Sequence, residues 1–279
     1  IRAASVTTSM EPIIDNEDDK TQEAVEQTKH EYDSVAAQYS KMNRHASAEH
    51  VELLLAAMPR GVAEQRRRTD AEARIPELQK RVEFLEDAGV QDEGDEDLAE
   101  ARTALATARR DSRRRVVDLG CGAGRDFPAF QERNIDYLGV DASEGMLTVA
   151  RERFPEAAFE AQDLCALELP ERSFDGAFAN ASLQHVPTPA LPNALTSIYA
   201  CLRPGGVLLI SAPLGRDAEG WSQARSKETR AWVAWRSRET LERYCGAAGF
   251  ESVTVPTVQS YEGSSFQVFV WRRPVDPGE

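Results

Sequence analysis

The amino-acid sequence predicts an α/β fold in which a mostly parallel sheet is covered by helices on both faces. From Val116 onward, short apolar segments alternate with helix-compatible segments, which is the pattern of a parallel sheet. The apolar run 116–119 leads into glycines at the alternate positions 120, 122 and 124, which is typical of a strand, a tight turn and a helix start. The length of 279 residues suits one such domain with an appendage.

The spacing around these glycines indicates which kind of ligand the turn receives. The glycines follow Asp118 in a D-x-G-x-G-x-G pattern, whereas a dinucleotide-binding G-x-G-x-x-G motif would need a glycine where this chain has Arg125. A second short apolar segment ends in Asp141, which lies 21 residues after Gly120. An acid at that distance can accept two hydrogen bonds from a ribose diol. The pattern therefore predicts a nucleoside-containing ligand at the strand ends.

The chain resembles the class I S-adenosylmethionine-dependent methyltransferases, and five segments carry this resemblance in the family's order. They are the glycine loop 118–124 and the segments 137–141, 159–164, 174–180 and 202–210. The resemblance covers residues 116–272, and residues 32–58 more loosely. It implies a Rossmann-like class I methyltransferase fold with a mostly parallel seven-stranded sheet, an antiparallel C-terminal hairpin and S-adenosyl-L-methionine as cofactor.

The N-terminal part is predicted to contain a tail and two helices. Residues 1–21 are polar, and acidic after position 10, which predicts a disordered tail. Helices are expected at 22–42 and 49–58, because apolar residues recur there at spacings near three and four. We assign residues 22–61 to the N-terminal helices of the methyltransferase domain.

Residues 62–114 delay the first core strand and are predicted to form an inserted helical hairpin. Two sets of apolar residues with the spacing of a coiled-coil seam are separated by an acidic break; they are Ile75, Leu78, Val82 and Leu85, and then Leu98, Ala101, Leu105 and Ala108. Three roles are open for this hairpin: a solvated arm packed on its own domain, an oligomer contact, or a cap over the active site.

Residues 115–273 are predicted to form the methyltransferase core, followed by a tail at 274–279. Helices are expected at 190–202 and 237–248, and the last two strands at 251–255 and 266–271.

The segment 221–235 follows the fifth strand, where related enzymes often carry a substrate lid. Trp221, Trp232 and Trp235, with Arg225 and Arg230, could form an aromatic and basic pocket. We expect Trp232 and Trp235, three residues apart, to share a helix face; the alternative is ordinary packing against the domain.

Composition excludes several classes of partner. The formal net charge of −14 and the pI near 4.9 make a nucleic acid partner unlikely, because phosphate binding needs clustered Lys and Arg. No apolar run approaches the ~20 residues that span a bilayer, so no membrane contact is expected. The four cysteines lack metal-ligand spacing, which predicts no metal site and a cytoplasmic location. The alternative is a plastid or mitochondrion if residues 1–10 are a transit-peptide remnant.

The resemblance also implies which residues bind the cofactor. Gly120, Gly122 and Gly124 would admit its methionyl part, while Asp118 would order the loop and reach the amino group through water. Asp141 would bind the ribose hydroxyls. The remaining expected contacts border the adenine or close over the cofactor, and they are Ala142, Ser143, Met146, Asp163, Leu164 and, on the first helix, Tyr39. Each of three residues also has an alternative role. Asp118 could serve only the structure of the loop, Met146 could be an ordinary core residue, and Asp163 could be an exposed acid on a loop.

The segment 180–186 follows the fourth strand and therefore lies at the edge where ligands bind such sheets. Asn180 is expected to contact the cofactor there. The segment is not the Asn/Asp-Pro-Pro-Tyr/Phe motif of enzymes that methylate DNA bases or protein glutamine. His185 titrates near neutrality and is the candidate catalytic base, with a ligand contact or a structural role as alternatives.

Together these features predict a methyltransferase that acts on an O, N or S nucleophile of a small molecule by in-line transfer. Two alternatives are open. One is a protein or tRNA methyltransferase that uses the hairpin as a docking arm, although the acidic charge disfavours tRNA. The other is a non-catalytic cofactor-binding scaffold, against which the complete glycine motif and Asp141 weigh.

Overall fold

The computed structural model describes residues 17–42, 47–58, 62–88, 96–223, 230–254, 256–261 and 264–276. The described helices are α1 (Glu17–Met42), α2 (Ala48–Ala57), α3 (Val62–Asp87), α4 (Glu96–Asp111), α5 (Phe127–Gln131), α6 (Glu144–Arg153), α7 (Leu191–Cys201) and α8 (Arg238–Ala247). The described strands are β1 (Arg115–Leu119), β2 (Asp136–Asp141), β3 (Ala158–Ala161), β4 (Phe174–Asn180), β5 (Leu202–Pro213), β6 (Ala218–Gln223), β7 (Arg230–Trp235), β8 (Glu251–Ser252), β9 (Thr257–Tyr261) and β10 (Ser264–Arg272).

The main sheet has the order β3-β2-β1-β4-β5-β10-β8, with β9 also paired to β10. The first five strands of this order run parallel, and β10 pairs antiparallel to β5. The predicted Rossmann-like fold, with a parallel sheet and an antiparallel C-terminal end, is therefore confirmed. Eight strands fill seven positions, because β8 and β9 pair with different halves of β10 along the same edge.

The sheet is buried on both faces because side chains of successive strand residues point to opposite sides. Val116 packs on the face that α2 and α5 cover, whereas Val117 packs on the face that α7 and α8 cover. This two-sided burial explains why the core strands are continuous apolar runs rather than alternating ones. The burial of both faces also holds the ends of the strands in place, and the loops of the candidate site start at these ends.

Three elements differ from the prediction. Helix α1 begins at Glu17, so residues 17–21 are helical rather than part of a disordered tail; residues 1–16 lie outside the described part. The strand expected at 251–255 ends at Ser252, and β9 follows Pro256, which cannot donate a ladder hydrogen bond.

The expected helix around Trp232 is instead β7, which pairs antiparallel with β6 in a separate two-stranded sheet. Aromatic and β-branched residues favour a strand here. The helix predicted from the three-residue spacing of Trp232 and Trp235 is therefore wrong. Because side chains alternate along a strand, Trp232 and Trp235 lie on opposite faces of β7.

Helices α3 and α4 pack against each other through the residues expected for the hairpin seam. Val82, Leu98, Ala101 and Leu105 are buried together, and Ile75, Leu78 and Leu85 pack on them. None of the described helices is long and apolar enough to cross a membrane.

The base of the hairpin is tied to the amino-terminal edge of the sheet. Arg67 of α3 donates to the carbonyl of Asp111 (3.1 Å) and to the buried carboxylate of Asp175 (3.3 Å) at the start of β4. The same carboxylate accepts the backbone N–H of Arg115 (2.7 Å) and pairs with Arg203 (3.0 Å). The hairpin therefore joins the domain at the edge opposite the carboxyl ends of the parallel strands.

Candidate active site

A cavity of about 420 Å³ lies at the carboxyl edge of the sheet. Its walls come from the loops after β1 to β5, from one face of α1, from β6 and β7, and from the start of β10. None of the described lining residues belongs to the hairpin, so the expectation of a cap over the active site finds no support. The size is within the range of sites for small molecules and cofactors.

The glycine loop faces this cavity with two of its three glycines. Gly120 and Gly122 line the cavity and have φ angles of +72° and +54°, which residues with a Cβ rarely adopt. A Cβ on Gly120 would lie 2.5 Å from the Cβ of Ser182, whereas space next to Gly122 is open. Gly124 is absent from the described lining. A Cβ there would meet the Phe154 ring at 3.0 Å, so packing also requires a glycine at this position, and the expected cofactor contact of Gly124 stays a prediction.

Asp141 lies at the end of β2 and connects that strand to the glycine loop. Its carboxylate accepts the N–H of Gly122 at 2.8 Å and the N–H of Ser143 at 2.9 Å. Burial raises the pKa of Asp141, since water no longer solvates the charge. Each oxygen keeps a further lone pair, so Asp141 can also accept hydrogen bonds from a ligand in the cavity.

The other residues expected around the adenine also line the cavity. Ala142 and Met146 continue from Asp141 into α6, and Met146 is buried beneath α1 against Ala36. Asp163 and Leu164 follow β3. The carboxylate of Asp163 accepts the N–H of Cys165 at 2.8 Å, which fixes this turn at the cavity wall.

Asp118 does not line the cavity, so its expected approach to the cofactor through water stays a prediction. Its side chain points with that of Val116 into the helix-covered face, where the hydroxyl of Tyr137 donates to it at 2.8 Å. Burial raises the pKa of Asp118 to about 8, and the negative charge of Asp126 adds to the effect. The Asp118 side chain is therefore tied to β2 through Tyr137.

Asn180 lines the cavity within a buried polar network that the sequence did not reveal. Its amide nitrogen donates to the hydroxyl of Ser47 at 2.8 Å and to the carboxylate of Asp126 at 3.2 Å. Its amide oxygen accepts from Nδ1 of His50 at 3.0 Å, and Nε2 of His50 contacts Gln259 at 2.6 Å. These bonds hold the end of β4 in a fixed orientation next to the glycine loop.

His185 lies in a 3-10 turn after β4, and its ring is oriented from both sides. Nδ1 donates to the carbonyl of Trp232 at 2.8 Å, which leaves Nε2 as the acceptor. The hydroxyl of Tyr32 donates to Nε2 at 3.1 Å. Burial lowers the pKa of His185, which favours the neutral ring that a base requires. The sequence predicted the residue but could not show its two partners.

Helix α1 forms the outer wall of the cavity with Val25, Thr28, Lys29 and Tyr32, which share one helical face. The hydroxyl of Thr28 accepts the N–H of Trp232 at 2.9 Å, so the same peptide segment of β7 holds both α1 and His185. The side chain of Tyr39, the tyrosine preferred from the sequence, lies outside the described part of the structure.

Strand β7 supplies an apolar wall through alternate residues. Ala231, Val233 and Trp235 line the cavity, whereas Trp221 and Trp232 pack edge to face on each other and are absent from the described lining. The expected pocket of three tryptophans is therefore reduced to Trp235. Arg225 lies outside the described residues, and the guanidinium of Arg230 lies over the Trp221 ring.

Two buried polar atoms at the cavity have no hydrogen-bond partner among the described residues. They are the hydroxyl of Ser182 and Oε1 of Gln184. The described residues contain no group of three or more His, Cys, Asp or Glu side chains that could hold a metal ion.

Comparisons with known proteins agree with this geometry. A family model described as "Methyltransferase domain" matches residues 90–255, which is more than half of the chain. A trans-aconitate 2-methyltransferase from Variovorax paradoxus is 38% identical over 125 residues, covering 44% of this chain and 48% of that protein. One from Paracidovorax citrulli is 32% identical over 176 residues, covering 60% and 66%.

The chain thus spans between about half and two thirds of the length of these relatives. A solved SAM-dependent methyltransferase from Methanosarcina mazei superposes with a TM-score of 0.53 at 16% identity, covering 59% of this chain and 94% of that protein. At that identity the likeness shows the shared fold. The glycine loop at the sheet edge, the strand order and the family match lead to one conclusion: the chain belongs to the class I S-adenosylmethionine-dependent methyltransferase family.

Proposed function

We propose that this protein transfers a methyl group from S-adenosylmethionine to an O, N or S nucleophile of a small molecule. The observation that carries the proposal is that a single cavity contains the glycine loop, the Asp141 carboxylate and the His185–Tyr32 pair. The glycine loop and Asp141 would hold the cofactor, and His185 would act as a neutral base. A methyl donor and an acceptor could therefore meet within one cavity.

The residues on the loop side fit S-adenosylmethionine. Open space next to Gly122 lets a ligand approach the backbone. The Asp141 carboxylate has lone pairs left for a ribose diol, and Leu164 and Met146 offer apolar surface for an adenine. S-Adenosylmethionine supplies a sulfonium-activated methyl group when bound, so the protein's contribution is mainly orientation, exclusion of water and acceptance of one proton.

His185 and Tyr32 are the residues proposed to handle that proton. Because Nδ1 of His185 is held by the Trp232 carbonyl, the lone pair of Nε2 points at the Tyr32 hydroxyl. In our proposal, Tyr32 passes its proton to Nε2 and takes one from the acceptor. The peptide carbonyl of Trp232 then stabilises the imidazolium that forms.

The trans-aconitate methyltransferases named above act on a small molecule, which supports this substrate class for the chain. The position of the hairpin supports it too. Its base is at the amino-terminal edge of the sheet, and an arm docking a protein or tRNA substrate would serve better beside the cavity. The cytoplasmic location, its organellar alternative and an oligomer contact through the hairpin stay predictions.

Incubation with methyl-labelled S-adenosylmethionine and a fractionated cell extract tests the proposal. We expect label to enter small molecules in a wild-type reaction and to be lost with His185→Ala. Label found in protein or RNA would favour the docking-arm alternative. Tight binding of S-adenosylhomocysteine without labelling of any fraction would favour a scaffold.

A further inference from the structure

The turn that carries His185 has few hydrogen bonds of its own. It is a single 3-10 turn, in which the N–H of His185 donates to the carbonyl of Ser182 at 2.9 Å and the N–H of Val186 donates to the carbonyl of Leu183 at 3.3 Å. Hydrogen bonds in 3-10 turns have poorer geometry than those of an α-helix, so a short turn of this kind is weakly held by itself. Leu183 and Val186 are almost completely buried, so their carbonyl groups need donors from the protein.

Arg236 supplies these donors. Its guanidinium donates through Nη1 to the carbonyl of Leu183 at 3.0 Å and through Nη2 to the carbonyl of Val186 at 2.5 Å. These two carbonyls lie on either side of His185 along the chain. A guanidinium is planar and rigid, so its N–H groups can bind two acceptors in one fixed geometry. Arg236 therefore holds both ends of the His185 turn with a single rigid group.

Arg236 is buried without an ion-pair partner among the described residues. It is 4% exposed, and the negative charges of Glu219 and Asp217 act on it only from a distance. Burial lowers the pKa of Arg236 to about 10, so the group is still charged at neutral pH. Burying a cation costs free energy that hydrogen bonds must offset. Nε has no hydrogen-bond partner in the described part of the chain, so the two carbonyls of the turn are what orients the guanidinium.

Arg236 also connects the turn to the main sheet. Its own carbonyl accepts the side-chain N–H of Gln267 on β10 at 2.7 Å, and residue 236 forms a β-bridge with Leu214, directly after β5. Arg236 directly follows β7, and Trp232, whose carbonyl accepts Nδ1 of His185, lies four residues earlier. The same stretch of chain therefore holds both the backbone and the ring of His185. A shift of the turn away from Arg236 would also separate Nδ1 from the Trp232 carbonyl.

We propose that Arg236 is a positioning residue for the methyl transfer. Its guanidinium holds residues 183–186 where Nδ1 of His185 meets the Trp232 carbonyl and Nε2 meets the Tyr32 hydroxyl. Arg236 is absent from the described lining of the cavity, so it acts through His185 and not on a ligand. This inference rests on the proposed function for the role of His185.

NMR of the histidine side chains tests this on the full chain, labelled with nitrogen-15 and free of ligand. The sequence contains four histidines, and the signal that is missing from His185→Ala identifies His185. In the wild type we expect a slowly exchanging Nδ1–H and an unprotonated Nε2, because the Trp232 carbonyl accepts the Nδ1 proton. In Arg236→Met this Nδ1–H signal should be lost, because the ring is no longer held. Arg236→Lys should weaken the signal less, since an ammonium keeps the charge without the planar fork.

The second measurement is the rate at which label from methyl-labelled S-adenosylmethionine enters the small-molecule fraction of a cell extract. A reacting group misplaced by about 1 Å can cost ~100-fold in rate, so we expect a ~10- to 100-fold loss in Arg236→Met and a smaller loss in Arg236→Lys. Calorimetry should show nearly unchanged affinity for S-adenosylhomocysteine. Arg238→Met removes an exposed arginine that pairs with Glu242 on α8, and this matched control should behave as wild type in every measurement.

A wild-type Nδ1–H signal in both Arg236 variants would overturn this inference while leaving the proposed function intact. Loss of the signal with an unchanged labelling rate would also overturn it. If Arg236→Met does not fold, Arg236→Lys decides by the same two criteria. Wild-type protein that labels no fraction would instead overturn the proposed function, and the histidine signal separates this case because it needs no substrate.

Discussion

Replacing Asp141 by alanine should weaken cofactor binding and destabilise the glycine loop in the same variant. The carboxylate accepts two backbone N–H groups, from Gly122 at 2.8 Å and from Ser143 at 2.9 Å, and in our proposal it also accepts the ribose hydroxyls. Hydrogen bonds to a charged acceptor contribute ~1.5–3 kcal/mol each. Losing the ribose pair, ~3–6 kcal/mol in total, should therefore weaken S-adenosylhomocysteine binding by at least ~100-fold.

The loss of folding stability in Asp141→Ala should be smaller than the free energy of two full hydrogen bonds. Burial raises the pKa of Asp141, so removing the buried charge recovers part of the lost energy. We expect a net destabilisation of ~1–2 kcal/mol, which lowers the melting temperature by ~2–8 °C in a domain of this size. Far-UV circular dichroism should not change, because the loop adds no helix or strand.

Isothermal titration calorimetry and thermal melts measure these two effects separately. Asp141→Asn should lose as much affinity as the alanine variant, because its amide group turns a donor toward one of the backbone N–H groups. Glu160→Ala, an exposed acid on neighbouring β3, is the matched control and should behave as wild type. Wild-type affinity in Asp141→Asn would refute the reasoning.

Three further predictions follow from the same structure. Because the folded-state pKa of Asp118 is raised to about 8, its contribution to stability is present below pH ~4 and is lost as the pH rises through 8. In urea titrations, the free energy of unfolding should therefore fall less with pH in Asp118→Asn than in the wild type. An equal pH dependence in both proteins would rule out this role of Asp118. Replacing residues 62–114 by a short linker should leave a folded core that binds S-adenosylhomocysteine, because the buried carboxylate of Asp175 retains its ion pair with Arg203. An unfolded product would show that the hairpin is part of the core. His185→Ala should lower turnover by ~10²–10⁴-fold with nearly unchanged cofactor affinity. The wild-type rate should rise with pH through a transition below the usual histidine range, because burial lowers the pKa of His185. A transition that shifts with the acceptor's own pKa would show that His185 is not the base.

The part of the cavity at the sheet edge could be predicted, because its residues follow strands in the sequence. Parallel strands bring their carboxyl ends to one edge, so Gly122, Asp141, Asp163 and Asn180 had to converge once the strands were recognised. The spacing of residues along the motif did not reveal, however, which way each side chain points. The Asp118 side chain belongs to the same motif and points into packing instead, because side chains alternate between the two faces along a strand.

The network around Asn180 could not be predicted, since its members come from distant parts of the chain. Ser47 and His50 precede the hairpin, Asp126 follows the glycine loop, and Gln259 lies on an edge strand. No local spacing relates these residues, and only the packing of α2 on the sheet brings them together. A histidine at position 50 therefore carries no signal in the sequence, although it helps to orient a residue of the cavity.

The acceptor side depends on elements that are not part of the main sheet, and this explains why it was the least predictable. The peptide groups of Trp232 satisfy Thr28 on α1 and His185 after β4, so α1, β7 and the turn at His185 support one another. In our proposal the sheet edge determines where the cofactor binds, and these three elements determine which acceptor can approach it. Substrate specificity can then change through β7 and α1 without disturbing the glycine loop.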